Sequence, residues 1–397
     1  MSALKSFRVI ELAESAAGEQ CGKLLADFGA EVIKVESPGC GSPTRRLSPL
    51  ATDGPSAERS ALFGYLNTNK KSIALDTSDE QARGKLNVLL LHADVVVDDH
   101  APGWLKALGL DPETIEQRLP QLVLCSITPY GQSPHADRTH AEDLTVFHSS
   151  GWGYHTPSGA DERSPLQGAG RYMASFEAAL DAALCIVAAL YERESSNRGR
   201  FIDIAKQRVL ASRLDYVLGQ MVAGDMEVTH QRSAFDLNGP ASIFACRDGF
   251  VYFWIALASE WQALRRLLGN PEWMNAFPPH WLERECTPER VATFRRHVGE
   301  WLRTQERNEI SAEGQKLGLI LVPVNDPQDV VSSPQYAHRQ YFTGVTHPVL
   351  GTLKHPTVAY KLSSSPARID GPAPLLGQHD DEVLRTLGMP RERDAGQ

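Results

Sequence analysis

The chain lacks the patterns that mark several large classes of protein. It has no CxxC pair, and its six widely scattered cysteines fit no metal-ligand spacing, so we expect reduced structural thiols and no metal. The chain contains no apolar run of about 18 residues, so we expect no membrane span. The opening MSALKSFRVIELAE has no apolar signal-peptide core, so we expect a cytoplasmic protein.

An excess of positive charge is also missing. The 49 acidic and 40 basic residues leave a net charge of −9, which argues against a broad nucleic-acid surface. The glycine pattern GxGxxG is absent, so a nicotinamide dinucleotide is not the expected ligand. The length of 397 residues, with 42% hydrophobic composition, suits a protein of two lobes.

Short apolar segments alternate with helical ones along the first half of the chain. We predict strands at residues 7–13, 31–36, 72–76, 93–98, 122–128 and 200–205, and helices at 18–28, 80–92 and 172–193. Apolar strands that alternate with helices are typical of a mainly parallel sheet covered on both faces. The expected fold class is therefore α/β, with a Rossmann-like large domain.

The domain boundaries are placed where the composition changes. The sequence becomes polar and irregular around residues 219–239, and a strand pattern with several amphipathic helices follows. We expect a large domain over residues 1–220, a smaller α+β domain with linkers over 221–325, and a C-terminal segment over 326–397. Trp254, Trp261, Trp273 and Met274 of the smaller domain are interpreted as core rather than as an acyl pocket.

Several sequence blocks together resemble one enzyme family. The blocks are CGKLLADFGAEVIKVE (21–36), LNTNKKSIALD (66–76), ITPYGQ (127–132), AALYER (188–193) and APLLGQH (373–379). In this order, over nearly the whole chain, they resemble the family III CoA-transferases, the CaiB/BaiF group related to formyl-CoA and carnitine CoA-transferases. The resemblance implies that the chain moves coenzyme A between an acyl-CoA and a carboxylic acid, with no metal and no NAD.

The resemblance also implies an architecture and a ligand site. It implies an interlocked homodimer and a C-terminal segment that returns to the large domain. Carried over block by block, the CoA-binding positions fall on Ser37, Arg45, Leu75, Asp99, His100, Ala101, Lys106 and His140. Two basic positions of the family are replaced, by Ala107 and Ala141.

The expected nucleophile is the position where the sequence departs from the family. The family uses an aspartate, because a carboxylate attacks the thioester and stays a good acyl donor once acylated. Alignment on the AAL at 188–190 places Ser175 there, so Ser175 and Glu177 are the candidate catalytic residues. Glu177, or Asp181 further along the predicted helix, would be a displaced nucleophile.

Three alternatives remain open. A serine hydrolase would need one of His140, His148 or His155, but Ser175 does not lie in a GxSxG elbow. An acyl-CoA racemase of the same superfamily would need a histidine where Glu142-Asp143-Leu144 stands. Finally, the chain could be a non-catalytic CoA-binding subunit that assembles with an aspartate-bearing paralogue.

Overall fold

The computed structural model describes residues 2–135, 141–155, 170–214, 239–386 and 388. The chain divides into two compact units. The described part of the large unit comprises residues 2–155, 170–214 and the chain from 337 onward, within those ranges. The described part of the small unit comprises residues 239–336. Its end lies past the expected boundary at residue 325, and the expected boundary at residue 221 lies outside the described residues.

A parallel sheet forms the centre of the large unit. Its strands are β1 (Arg8–Glu11), β2 (Glu31–Glu36), β3 (Lys71–Ala74), β4 (Val95–Asp98), β5 (Val123–Thr128) and β6 (Phe201–Ala205). They lie in the order β3-β2-β1-β4-β5-β6, and every neighbouring pair is parallel. The predicted α/β class is therefore confirmed. The order reverses between β1 and β4, and ligands of open α/β sheets bind at the carboxyl ends of strands beside such a reversal.

Helices cover both faces of this sheet. The described helices of the large unit before residue 213 are α1 (Ala16–Asp27), α2 (Ala61–Leu66), α3 (Glu80–Leu91), α4 (Trp104–Ala107), α5 (Pro112–Arg118), α6 (Asp143–Ser149), α7 (Trp152–His155), α8 (Met173–Ser196) and α9 (Lys206–Ser212). Alternate residues of each strand face opposite sides, so β4 directs Val95 and Val97 to one apolar layer and Val96 to the other. The first layer lies against α1 and α8, and the second lies against α3 and α5.

Helix α8 determines where the candidate nucleophile position lies. Its small side chains Ala178, Ala179, Ala182 and Ala183 are buried, which allows close packing against α1. Among the described residues, α8 is the one helix long and apolar enough to cross a membrane, yet 44% of its most apolar window is buried inside the fold. Its packing is that of a core helix with one face left open.

The small unit combines an antiparallel sheet with helices. Strands β7 (Ser242–Cys246), β8 (Gly249–Trp254) and β9 (Ile320–Pro323) lie against α10 (Ala258–Leu267), α11 (Trp281–Arg284), α12 (Pro288–Leu302) and α13 (Arg307–Lys316). Two short helices, α14 (Pro327–Ser332) and α15 (Pro334–His338), follow. Trp261 and Met274 are fully buried in its aromatic core, which agrees with their interpretation as core residues.

The C-terminal segment lies on the large unit. It forms a hairpin of β10 (Phe342–His347) and β11 (Gly351–Pro356), and later a short helix, α16 (Asp380–Thr386). Before that helix the chain runs along the outer strand β3. The backbone N–H groups of Ser72 and Ala74 donate to His379 Nδ1 (3.2 Å) and Asp380 Oδ1 (2.8 Å). His379 donates its own N–H back to the carbonyl of Ser72 at 2.9 Å.

Candidate functional site

Asp99 joins the two strands at the reversal of the sheet. It follows β4, and its carboxylate accepts the backbone N–H groups of Glu14 (2.8 Å), Ser15 (3.0 Å) and Gly18 (3.0 Å). These N–H groups open helix α1 and have no partner within the helix, so Asp99 supplies the cap from another strand. A Cβ at Gly18 would lie 2.9 Å from this carboxylate, so the close approach requires glycine. Asp99 therefore shapes the loop at the expected nucleotide site.

His100 places a positive charge at the same edge. Its Nδ1 lies 2.8 Å from Asp98 Oδ1, its Nε2 lies 3.5 Å from Glu14, and its ring stacks on Trp104 at 3.6 Å. Burial alone would lower the pKa of His100, but hydrogen bonds to Asp98 and Glu14 outweigh burial and raise the pKa to about 9. The imidazole is therefore protonated at neutral pH.

The other expected ligand positions on this edge are mostly accessible. Ala101 and Lys106 are exposed beside His100, and Lys106 lies on α4. Ser37 is half-buried directly after β2. Leu75 is buried directly after β3, where its N–H donates to the carbonyl of Glu36 at 2.9 Å. His140 lies outside the described residues.

Arg45, by contrast, is fully buried and fully bonded. Its Nε and Nη2 donate to the Glu36 carboxylate at 2.7 and 2.8 Å, and its Nη1 donates to Glu58 at 2.9 Å. Two backbone carbonyls accept the remaining N–H groups of Nη1 and Nη2. Phe63 lies under the guanidinium at 3.8 Å. All five N–H donors are used within the fold. A phosphate contact by Arg45 would require one of these bonds to break.

Ser175 lies in the first turn of α8 within a small polar cluster. Its backbone N–H donates to Asp143 Oδ2 at 2.9 Å, and its hydroxyl donates to Asp143 Oδ1 at 2.7 Å. The ammonium of Lys206 donates to the Ser175 hydroxyl at 3.0 Å and to Asp143 Oδ1 at 3.3 Å. Three helix starts thus meet, because Asp143 begins α6 and Lys206 begins α9. We call this Asp143–Ser175–Lys206 group the α8 cluster.

Two members of the α8 cluster are not among the candidate residues from the sequence. In the sequence Asp143 stands out only as part of a segment that lacks a histidine, and Lys206 is not a candidate. A signal for Lys206 exists, because it is a charge placed directly after the buried end of strand β6. Asp143 carries no comparable signal, since its partner Ser175 lies 32 residues further along the chain.

Glu177 does not join the α8 cluster. Two residues along a helix correspond to a rotation of about 200°, so Glu177 leaves α8 on nearly the opposite side from Ser175. It forms an ion pair with Arg213 (3.0 Å), and Asp181 binds the same guanidinium at 2.7 Å. No hydrogen bond among the described residues joins Ser175 to a histidine; its bonded polar neighbours are Asp143 and Lys206.

Comparison with known proteins identifies the family. The sequence profile of CoA-transferase family III matches residues 4–380. The chain belongs to this family. The α8 cluster therefore occupies a CoA-transferase fold, and the resemblance inferred from the sequence blocks is confirmed.

Curated relatives are similar over nearly their whole length. The chain is 28% identical to succinyl-CoA:(R)-benzylsuccinate CoA-transferase subunit BbsE of Thauera aromatica, covering 97% of this chain and 94% of the relative. It is 29% identical to succinyl-CoA–D-citramalate CoA-transferase of Chloroflexus aurantiacus, with the same coverage. A CaiB/BaiF family protein from Brucella suis has the same fold, with a TM-score of 0.83, 26% identity, and 97% and 99% of the two chains covered. Acyl-CoA transfer with CoA thioesters as substrates is thereby supported as the general chemistry.

Proposed function

We propose that this protein transfers coenzyme A between a donor acyl-CoA and a carboxylic acid. The observation that carries the proposal is a carboxylate, Asp143, held 2.7 Å from the serine at the expected nucleophile position. Transfer of CoA to an acid needs a protein carboxylate, because a serine ester is too stable to pass its acyl group to another carboxylate. The full-length match to named CoA-transferases gives that carboxylate its context.

The coenzyme would lie along the carboxyl ends of β2, β3 and β4. Lys106 would supply a phosphate contact, and His100 would add one by exchanging its 3.5 Å contact with Glu14 for the phosphate, since charge-assisted hydrogen bonds to phosphate are strong. Leu75 and Ala101 line the nucleotide slot beside the loop of Ser37. Asp99 holds that edge by capping α1. His140 stays a prediction, and Arg45 would act by holding its loop in place.

We also propose that the chain forms a cytoplasmic homodimer through α8. Its open face carries the exposed apolar residues Leu180, Leu184, Val187 and Tyr191. Their spacing of four, three and four residues places them on one stripe of the helix. Contiguous exposed apolar surface marks interaction sites. A second copy of the chain is the proposed partner, in the interlocked arrangement that the family resemblance implies.

One further candidate function has an observation in its favour. Ser175 replaces the family aspartate, and one relative is itself named as a subunit of a CoA-transferase. The chain would then bind CoA without catalysis and assemble with an aspartate-bearing paralogue. Activity of the purified chain alone decides between the two functions.

The test is an assay of the purified chain with succinyl-CoA and a panel of mono- and dicarboxylic acids. A new acyl-CoA, seen by mass spectrometry and dependent on the added acid, supports the proposal. CoA binding by calorimetry with no new acyl-CoA favours the non-catalytic subunit. Free CoA released without an acceptor indicates a hydrolase. Deuterium uptake beside the carbonyl of a 2-methylacyl-CoA, without transfer, indicates a racemase.

A further inference from the structure

We infer that Asp143 is the carboxylate nucleophile of the proposed transfer reaction. The inference rests on the proposed function and deepens it, because it names the residue that accepts the acyl group. It assigns this role neither to Ser175 nor to Glu177, the two candidates from the sequence. The argument depends on three features of the α8 cluster: placement, accessibility and charge.

Placement favours Asp143 over the other described carboxylates near the start of α8. Both of its oxygens reach Ser175, one through the hydroxyl at 2.7 Å and the other through the backbone N–H at 2.9 Å. The carboxylate therefore lies beside the expected nucleophile position, although it comes from another helix. Glu177 and Asp181 are both bound to Arg213 on a different side of α8.

Accessibility favours the carboxylate over the hydroxyl. Ser175 is buried, whereas Asp143 is only partly buried. The Ser175 hydroxyl donates its proton to Asp143 and accepts from Lys206, so its oxygen is occupied on both sides. Asp143 Oδ2 accepts one hydrogen bond from the described residues, and a carboxylate oxygen has about two acceptor sites. Oδ2 therefore keeps a lone pair for attack.

Charge complementarity also favours Asp143. The Lys206 ammonium, 3.3 Å from Oδ1, supplies the opposite charge that a largely buried carboxylate needs. The start of the 24-residue helix α8 adds its positive end to the same place. Lys206 and Ser175 are thus positioning residues that hold Oδ1 while Oδ2 stays available.

The reaction then balances with the donor acyl-CoA and the acceptor acid alone. Oδ2 attacks the thioester carbon, the C–S bond breaks, and CoA thiolate leaves behind a mixed anhydride on Asp143. The thiolate attacks Cγ of Asp143, which releases the donor acid as its carboxylate and forms an aspartyl-CoA thioester. The acceptor carboxylate attacks Cγ, the C–S bond breaks, and a second mixed anhydride forms as CoA thiolate leaves. The thiolate attacks the acyl carbon of the acceptor, the C–O bond to Asp143 breaks, and the new acyl-CoA and the Asp143 carboxylate are released.

The decisive experiment traps the covalent intermediate on the purified wild-type protein. The chain is incubated with succinyl-CoA, quenched with hydroxylamine and analysed by peptide mapping. An aspartyl-CoA thioester gives a hydroxamate on Asp143 and free CoA. A serine ester instead gives succinyl hydroxamate and an unmodified Ser175. A hydroxamate on Asp143 is expected, and a hydroxamate on Glu177 or Asp181 overturns the inference while the proposed function stands.

A matched pair of variants gives the kinetic test. Asp143→Asn should lower transfer by roughly a thousandfold or more, because it removes the attacking group. Asp94→Asn is the control, because Asp94 also accepts hydrogen bonds from a backbone N–H and from a cation. These donors are the N–H of Arg8 at 2.8 Å and the guanidinium of Arg193 at 2.8 Å. It lies at the other end of β4 and should keep transfer. Calorimetric titration with CoA confirms that both variants are folded.

A third variant separates the carboxylate from the hydroxyl if Asp143→Asn fails to fold. Ser175→Ala should still form the hydroxamate on Asp143, at a lower rate. Loss of all covalent intermediate in Ser175→Ala, with CoA binding intact, overturns the inference in favour of a serine nucleophile. Wild-type protein that forms no new acyl-CoA refutes the proposed function, and the inference fails with it.

Discussion

Replacing Arg45 by methionine tests whether this side chain stabilises the fold or binds a phosphate. Its partner Glu36 is buried, and burial alone would raise the pKa of Glu36. The hydrogen bonds from Arg45, the positive charge of Lys34 and the N–H of Ser42 outweigh burial and lower this pKa to about 2. Relative to the ordinary value of 4.5, that difference corresponds to about 3 kcal/mol of folding free energy. Removing one partner of a buried ion pair costs about 3–5 kcal/mol. We therefore expect Arg45→Met to lower the free energy of unfolding by about 3–5 kcal/mol.

The assay is urea unfolding of wild type and variant between pH 7 and pH 3. The neighbouring Arg46 is exposed and bonds one backbone carbonyl, so Arg46→Met is the matched control. Because the pKa of Glu36 is lowered by folding, its stabilisation is present above about pH 4.5 and is lost as the pH falls toward 2. The difference between wild type and Arg45→Met should therefore narrow in acid.

One result would refute this reasoning. If Arg45→Met unfolds like Arg46→Met at every pH but binds CoA more weakly, Arg45 is a ligand and the buried contacts to Glu36 and Glu58 do not describe its role. Calorimetric titration with CoA on the same samples gives that comparison directly.

Four further outcomes are expected. Lys206→Met should lower kcat of the transfer with little change in KM, and Lys206→Arg should keep part of the wild-type kcat. Equal activity of the two variants would contradict the positioning role of Lys206. Leu184→Glu should convert a dimer to monomers in sedimentation experiments, and an unchanged dimer would remove α8 from the interface. Asp99→Ala should lower the free energy of unfolding by about 2 kcal/mol through loss of the α1 cap, measured in urea. The His100 imidazole should titrate near pH 9 by NMR and move toward 6.5 in Asp98→Asn, whereas titration near 6.5 in the wild type would contradict the raised pKa.

The sheet of the large unit could be predicted because its signals are local. The strands β2, β4 and β5 are four to six residues long, at least half of each is valine, isoleucine or leucine, and turn residues or a charge follow each of them. The helix predicted at residues 80–92 begins at Glu80 and ends at Leu91. Asp79, directly before Glu80, caps its start. Each of these features depends on neighbouring residues, so a single sequence contains it.

The α8 cluster could not be predicted in the same way because its members meet only after folding. Asp143 and Lys206 lie 32 and 31 residues from Ser175 along the chain, and no local period relates them. The burial of Arg45 could not be predicted for a related reason, since an arginine in a loop gives no sign that two glutamates will enclose it. Glu177 was the exception: the helical period alone places it on the side of α8 away from Ser175.

The contact between the C-terminal segment and β3 has a consequence for synthesis of the chain. Ribosomes add about 5–20 residues per second, so the roughly 170 residues between the end of β6 and His379 take about 10 to 35 s. During that interval all six strands exist, but the N–H groups of Ser72 and Ala74 have no cover. An open sheet edge is a template for pairing with other chains. We therefore expect an aggregation-prone period in the nascent protein, which the arrival of residues 379 and 380 ends.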